Sequence, residues 1–235
     1  MKIIKNERLI KRNGTIGNWI SILALVVLGG GMFVTFRTPN SPQIFSYSLI
    51  ALIAGFMMTQ IGMYMGNRWG RSPRPDELLD AGLKGLPGDY TIYHFITAAP
   101  HLLVGPAGVW VLIPYRQRGV LTYQKNRWRL GSGGFLQAYM SIFGQEGIGR
   151  PDLEAESEIK SVVKQLAKNL SEQEIPSVQV ALVFMNEQVE IQVDGVPLPA
   201  LRVKQLKDFI RQKAKEKPIG QSQLSAVKAV LPQGE

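Results

Sequence analysis

Two histidines, His94 and His101, are the first residues in this chain that could act as acids, bases or metal ligands. They fall on neighbouring predicted strands, and the 235 residues contain no cysteine to accompany them. Because a zinc site usually needs cysteine or further histidine, we expect both to be packed or hydrogen-bonded structural side chains and predict no metal site. The lack of cysteine also excludes a thiol nucleophile and a disulfide scaffold.

Carboxylates matter next, because metal-assisted phosphodiester cleavage needs several of them to converge on a divalent cation. The predicted central strands offer none, since residues 90–145 contain no Asp or Glu. Glu77, Asp152 and Glu154 could reach these strands only from flanking helices, where acids are typically solvated charges at helix starts. Glu77 and Glu154, with Arg116 as the nearby cation, are therefore weak catalytic candidates. We expect no cofactor, unless these flanking acids bind Mg²⁺.

A basic and aromatic stretch follows the central strands. Positive charge interleaved with aromatic rings can hold phosphates and stack bases. The same charge could instead lie against anionic lipid headgroups or form an ordinary solvated surface. The candidate residues for binding nucleic acid or lipid headgroups are Arg116, Arg118, Lys125, Arg127, Trp128 and Arg129.

Charge is distributed unevenly along the chain. Residues 1–74 contain nine Lys or Arg and a single acid, Glu7, whereas the remainder holds eighteen basic and seventeen acidic residues. The net charge of +9 therefore belongs mainly to the N-terminal part. It is weak support for nucleic-acid binding by the rest.

The same N-terminal part predicts a transmembrane helical hairpin. Residues 19–36 are uncharged and would span about 27 Å as a helix, close to the thickness of the hydrocarbon core. A second apolar run covers residues 44–65, and a polar turn rich in proline joins the two. A cleavable signal peptide or a buried soluble hairpin is the alternative.

Orientation follows from the short flanks of the two spans. Five Lys or Arg precede the first span and three follow the second, while the turn between them has one. Basic flanks favour the cytoplasmic side. We therefore predict an integral membrane protein with two spans, and with both termini and the soluble domain in the cytoplasm.

The rest of the chain predicts an α/β domain at 75–216, followed by a flexible tail at 217–235. Alternating and continuous apolar runs indicate strands, and apolar residues at helical spacing indicate helices. Strands followed by a helix, another strand and a last helix favour a mixed α/β order. The predicted elements are a helix from Asp76, strands at 90–96, 101–105, 109–115 and 119–123, a short helix at 135–143, a helix at 154–171, strands at 178–185 and 189–193, and a helix at 203–215.

Within this domain the sequence resembles a known family. Glu77 followed by Leu83, Leu86 and Pro87, then PHLLVGPAGVWVLIPYR at 100–116, resembles the NERD (nuclease-related) domain over about residues 76–210. The resemblance extends to RPDLEA at 150–155 and to VALVF at 180–184. It implies a mixed sheet of the restriction-endonuclease-like fold, as in PD-(D/E)xK nucleases. Their metal site implies an Asp at the start of one strand and a Glu-x-Lys on the next.

The chain departs from that family pattern at the chemically important positions. The family's Asp falls on Pro100, its Glu on Pro114 and its Lys on Arg116. Glu77 has an obvious counterpart in the family, and Glu154 stands where a Gln is expected. The guanidinium of Arg116 does not deprotonate and differs from Lys in donor geometry. The resemblance therefore implies a degenerate, catalytically inactive site.

Three functions follow from different classes. The first is a membrane-anchored, nuclease-related domain that binds DNA, RNA or a protein partner without cleaving. The second is a structural or assembly subunit of a membrane complex that uses the domain for protein contacts only. The third is a divergent metal-dependent nuclease whose carboxylates have moved to Glu77, Asp152 and Glu154. The lipid bilayer is a partner in all three.

Overall fold

The computed structural model describes residues 1–38, 42–131, 148–193 and 195–233. The chain divides into two compact units. One is helical and comprises Asn6–Arg74; the other is an α/β domain that combines Met1–Lys5 with the residues from Pro75 onward. This division differs from the predicted one at the N-terminus, because the first five residues belong to the α/β domain and not to the hairpin.

Two long helices form the helical unit. Helix α1 covers Glu7–Arg37, helix α2 covers Pro42–Met65, and a π-helical turn at Gly66–Gly70 continues it. The Asn6 side chain caps α1 by accepting a bond from the Leu9 amide at 2.9 Å. Both helices are long and apolar enough to cross a membrane, as the sequence predicts. Only 6% of the most apolar window of each is buried, unlike the core helix of a soluble protein.

Small residues line the contact between these two helices. Gly17, Ala24, Gly55 and Gly62 are the buried residues of its middle part. A methyl group built on Gly62 would meet the Ser21 backbone nitrogen at 3.2 Å, so the two backbones approach closely there. Small residues at such spacing are the usual means of close helix packing in membranes.

A six-stranded mixed sheet is the centre of the α/β domain. Its strand order is β1-β2-β3-β4-β7-β9. Strand β3 runs antiparallel to both of its neighbours, β2 and β4, whereas β1 pairs with β2, β7 with β4, and β9 with β7 in parallel. The strands are β1 Lys2–Lys5, β2 Thr91–His94, β3 His101–Gly105, β4 Gly108–Tyr115, β7 Val178–Phe184 and β9 Ala200–Arg202.

Helices cover both faces of this sheet, which confirms the predicted mixed α/β class. Helix α3, Pro75–Gly82, and helix α5, Leu206–Glu216, pack on one face through Leu79, Leu206 and Ile210. Helix α4, Pro151–Leu166, packs on the other through Ala155, Val162 and Leu166. Parallel pairing of β4 with β7 requires the crossover that α4 provides. A smaller sheet of order β6-β5-β8 contains β5 Gly119–Gln124, β6 Arg127–Gly131 and β8 Val189–Gln192.

The C-terminal part is more ordered than the sequence suggests. Helix α6, Gln221–Val230, lies where a flexible tail is predicted. Leu224, Val227 and Leu231 are buried in the core on the α4 face. Their spacing of three and four residues puts them on one side of the helix, although the polar residues between them weaken the pattern. The helix predicted at 135–143 lies outside the described residues.

Candidate functional site at one edge of the main sheet

One edge of the main sheet gathers most residues that could do chemistry. Because β2 and β3 are antiparallel with His94 opposite His101, β2 ends where β3 begins. Strand β4 ends at the same edge, and so does its parallel partner β7, with Tyr115 opposite Phe184. The register therefore brings together positions that are distant in the sequence.

A buried hydrogen-bonded chain runs from helix α3 into this edge. Asp80 Oδ1 lies 3.0 Å from His94 Nε2, and His94 Nδ1 lies 2.7 Å from His101 Nδ1. The two rings are buried and cross at 70° with centroids 4.9 Å apart. The histidines are thus hydrogen-bonded to each other and to a carboxylate. Asp80 was not among the candidates from the sequence, although it directly follows the buried Leu79 and lies about one turn before the buried Leu83.

The geometry of this hydrogen-bonded chain limits where its protons can lie. Two nitrogens at 2.7 Å can share one proton, because two N–H groups pointing at each other would repel. A neutral His94 that donates to Asp80 must accept at Nδ1 from His101. A cationic His94 donates in both directions. The chain can therefore pass a proton between the two rings without breaking, but it cannot hold a proton on both facing nitrogens.

The loop between β2 and β3 holds the two rings in place. Phe95 adopts φ 57°, an uncommon value for a residue other than glycine, and its amide donates to the Pro100 carbonyl at 2.8 Å. The Phe95 ring packs edge-on against His101 at 4.9 Å. The Ala98 amide donates to the Gln165 side chain of α4 at 2.6 Å. The loop is thereby tied to the opposite helix layer.

The positions at which the resemblance to the NERD domain implies metal ligands come together at this edge. Pro100 immediately precedes β3, Pro114 is near the end of β4, and Arg116 follows that strand. Proline therefore occupies two positions at which the resemblance implies carboxylate ligands. The side chain of proline has no oxygen atom that could bind a cation. Side chains alternate along β4, so Pro114 belongs to the α3 face, with His94 and His101 on the neighbouring strands.

The flanking acids do not converge. Glu154 on α4 accepts a bond from the Tyr115 hydroxyl at 2.7 Å, and Asp152 pairs with Arg150 at 2.9 Å. Glu77 belongs to α3, which packs on the opposite face of the sheet. Across residues 1–38, 42–131, 148–193 and 195–233, no three His, Asp or Glu side chains lie close enough to hold a metal ion.

Tyr115 shows what Glu154 does in this arrangement. Burial raises the pKa of the Tyr115 hydroxyl, and the bond to Glu154 raises it further. The hydroxyl therefore stays protonated and donates to the carboxylate, while its ring stacks on Phe184 at 5.4 Å. This contact joins the start of α4 to the sheet, which is a structural role for Glu154.

The basic hairpin, residues 118–129, is the second candidate site. Strands β5 and β6 pair in antiparallel fashion around Lys125 and Asn126, whose φ values of 51° and 56° fit a tight two-residue turn. Along β6, Arg127 and Arg129 are exposed and Trp128 is buried between them. The cations thus point outward on one face, as alternation requires.

The rings of this region do not share the exposed face. Trp128 is only 6% exposed and packs on Tyr123 at 5.1 Å, and Tyr115 is also buried. Stacking of bases on Trp128 is therefore unsupported, and phosphate contact is the interaction that the hairpin offers. The cross-strand neighbours of Arg129 and Arg127 are Thr122 and Gln124, which carry no charge. Arg118 and Lys125 are exposed as well, whereas Arg116 is half-buried.

No family model, curated protein or solved structure matches this chain. The geometry of the two candidate sites and the helical hairpin are therefore the basis for a proposed function.

Removing both histidines of the buried pair is expected to cost less than the sum of the two single removals. His101→Phe leaves His94 Nδ1 buried without its partner, so the free energy of unfolding of the full chain in detergent should fall by about 2–3 kcal/mol. The double change to Phe at 94 and 101 should cost less than the sum of the two single changes, by about 1–2 kcal/mol. Urea unfolding of the four variants measures this coupling. Additive single effects would contradict the hydrogen bond between the rings.

Proposed function

We propose that this chain is a membrane-anchored, nuclease-related domain that binds nucleic-acid phosphates at the cytoplasmic face of the membrane without cleaving them. One observation carries the proposal: the sheet edge has prolines at two expected ligand positions, while an exposed basic hairpin lies in the same domain. Such a domain keeps a surface for phosphates and lacks the carboxylates that would hold a catalytic cation.

The connections of the helical hairpin to the α/β domain support its membrane orientation. Strand β1 precedes α1 and helix α3 follows α2, and both belong to the same α/β domain. If both helices span, their outer ends must leave the membrane on one side. The flanks on that side contain eight of the nine Lys and Arg of residues 1–74, which favours the cytoplasm.

The side chains at the sheet edge support the absence of cleavage. Strands β2 to β6 contain no carboxylate, and Glu154 is engaged by Tyr115. Arg116 cannot act as a proton-transferring lysine, because its guanidinium remains charged. The hydrogen-bonded chain of Asp80, His94 and His101 lies on the α3 face of the sheet, the face to which Pro114 also belongs.

The positive charge of the basic hairpin supports the binding of nucleic-acid phosphates. Arg118, Lys125, Arg127 and Arg129 are exposed, and no described ion pair neutralises them. Each cation that contacts a phosphate releases counterions, so affinity should fall steeply with salt. Sequence preference should be weak, because the hairpin offers charge and no exposed ring.

Neutralising two cations of the hairpin should weaken binding and flatten its salt dependence. For Arg127→Gln/Arg129→Gln, the slope of log affinity against log salt should decrease by about 1.4–1.8, depending on whether the ligand is single- or double-stranded. Fluorescence anisotropy with labelled RNA and DNA, on the full chain in nanodiscs of neutral lipid, measures both quantities.

The matched control removes the same charge from another surface. Lys164 and Lys168 are exposed on or just after α4, so Lys164→Gln/Lys168→Gln should bind as wild type. Equal losses in the two double variants would point to a general charge effect. Undiminished binding by the hairpin variant would contradict the proposed surface.

A further inference from the structure

Exposed aromatic rings lie at two levels near the ends of the helical hairpin, and the exposed ring of Phe56 lies between these levels. Trp19 and Tyr64 are exposed near its open end, and Phe36 and Tyr47 near its turn. The two rings of each level lie at the same height on α1 and α2, because the helices contact each other nearby. Ser21 packs against Gly62 close to the first level, and Thr35 is hydrogen-bonded to Ser48 close to the second. In both helices the rings are 17 residues apart, which is about 26 Å. This spacing fits the two interfaces of a bilayer.

Helix α1 continues well beyond the level of Trp19. Twelve residues, from Glu7 to Asn18, precede this ring within the helix. Arg8, Lys11 and Arg12 are exposed there, and none of them takes part in a described ion pair. These cations therefore lie at the depth of the headgroups if Trp19 marks the interface.

The cations and an apolar groove share one face of α1. Arg8, Arg12, Ile16, Trp19 and Leu23 recur at intervals of three and four residues, so they form one stripe. The residues that contact α2 lie on the other side of the helix. A shallow groove of about 430 Å³ begins where the cations end, lined by Ile16, Trp19, Ile20, Ile22, Leu23 and Val26.

From this juxtaposition we infer that the outer face of α1 binds one anionic phospholipid. An acyl chain lies in the groove and the phosphate lies between Arg8 and Arg12, with Trp19 at the boundary. Charge complementarity selects the anionic headgroup, and the apolar lining selects a lipid over a free phosphate. The inference rests on the membrane anchoring in the proposed function and is independent of nucleic-acid binding.

Competition between two lipids tests the site. The full chain in mild detergent is mixed with equal amounts of phosphatidylglycerol and phosphatidylcholine, and bound lipids are counted by native mass spectrometry. We expect wild type to prefer phosphatidylglycerol. Arg8→Gln/Arg12→Gln should lower the ratio of the two bound lipids about 30-fold, whereas Lys164→Gln/Lys168→Gln should leave it unchanged.

Three results would overturn the inference. The first is an unchanged lipid ratio in Arg8→Gln/Arg12→Gln. The second is displacement of phosphatidylglycerol by an equal concentration of glycerol 3-phosphate, which would indicate a free-phosphate site. The third is a chain that stays soluble without detergent or lipid, which would remove the anchor itself. Loss of RNA and DNA binding in Arg127→Gln/Arg129→Gln, with the lipid ratio intact, belongs to the proposed function alone and leaves this inference standing.

Discussion

Ile4→Asp is expected to detach the outermost strand, β1, from β2 and to destabilise the α/β domain by at least ~3 kcal/mol. Ile4 is 5% exposed within the core on the α4 face, and its strand pairs with the whole of β2. A charge in this position loses the apolar contacts and is taken out of water. Hydrogen exchange of the β2 amides, in the full chain in neutral nanodiscs, should accelerate at least about 100-fold.

The neighbouring residue provides the control. Ile3 is 43% exposed and points to the other side of the same short strand, so Ile3→Asp should change stability by less than about 1 kcal/mol. Equal exchange rates in the two variants would mean that β1 does not belong to the sheet. The domain boundary would then return to the one predicted from the sequence.

Gly62→Leu is expected to separate the two helices of the helical hairpin. A side chain at this position meets the backbone of Ser21, which cannot move aside without shifting α1. Overpacking of this kind costs about 1–3 kcal/mol or more, and close backbone approach at small residues is what packs helices together in lipid. Because the chain has no cysteine, spin labels can be placed at Thr15→Cys and Asn67→Cys. Their distance distribution should lengthen and broaden.

Gly30→Leu is the matched control for this substitution. Nothing lies within 4 Å of a methyl group built on Gly30, so its larger side chain should extend outward and leave the label distances unchanged. A distance distribution in Gly62→Leu that equals that of the labelled parent chain would contradict the close packing of α1 against α2.

Strong local patterns predicted much of the fold. The long uncharged runs indicated both apolar helices, and α4 followed from apolar residues such as Val162 and Leu166 at helical spacing. Weak patterns failed for a physical reason. Strand β1 has only two apolar residues between Lys2 and Lys5, so it resembles a basic flank, and its strand character comes from pairing with β2.

The candidate sites show the same limit. Of the positions at which the family resemblance implies metal ligands, Pro100 is distant in the sequence from Pro114 and Arg116, and the antiparallel register brings them to one end of the sheet. The sequence does not show whether the ring of Trp128, within a basic stretch, is accessible for stacking on a base. In the structure this ring faces the core. Asp80 was missed since its role depends on the distance between α3 and β2, which only tertiary packing sets.

Retention and cleavage of nucleic acid, followed in one reaction, test the central claim most directly. The full chain must be used, because residues 75–235 lack β1. Labelled RNA and DNA are incubated with the chain in neutral nanodiscs, with Mg²⁺ or Mn²⁺ present, and bound and cleaved fractions are measured together. We expect salt-sensitive retention without cleavage. Cleavage that disappears in Glu77→Ala would contradict the account, as would the absence of any retention at low salt.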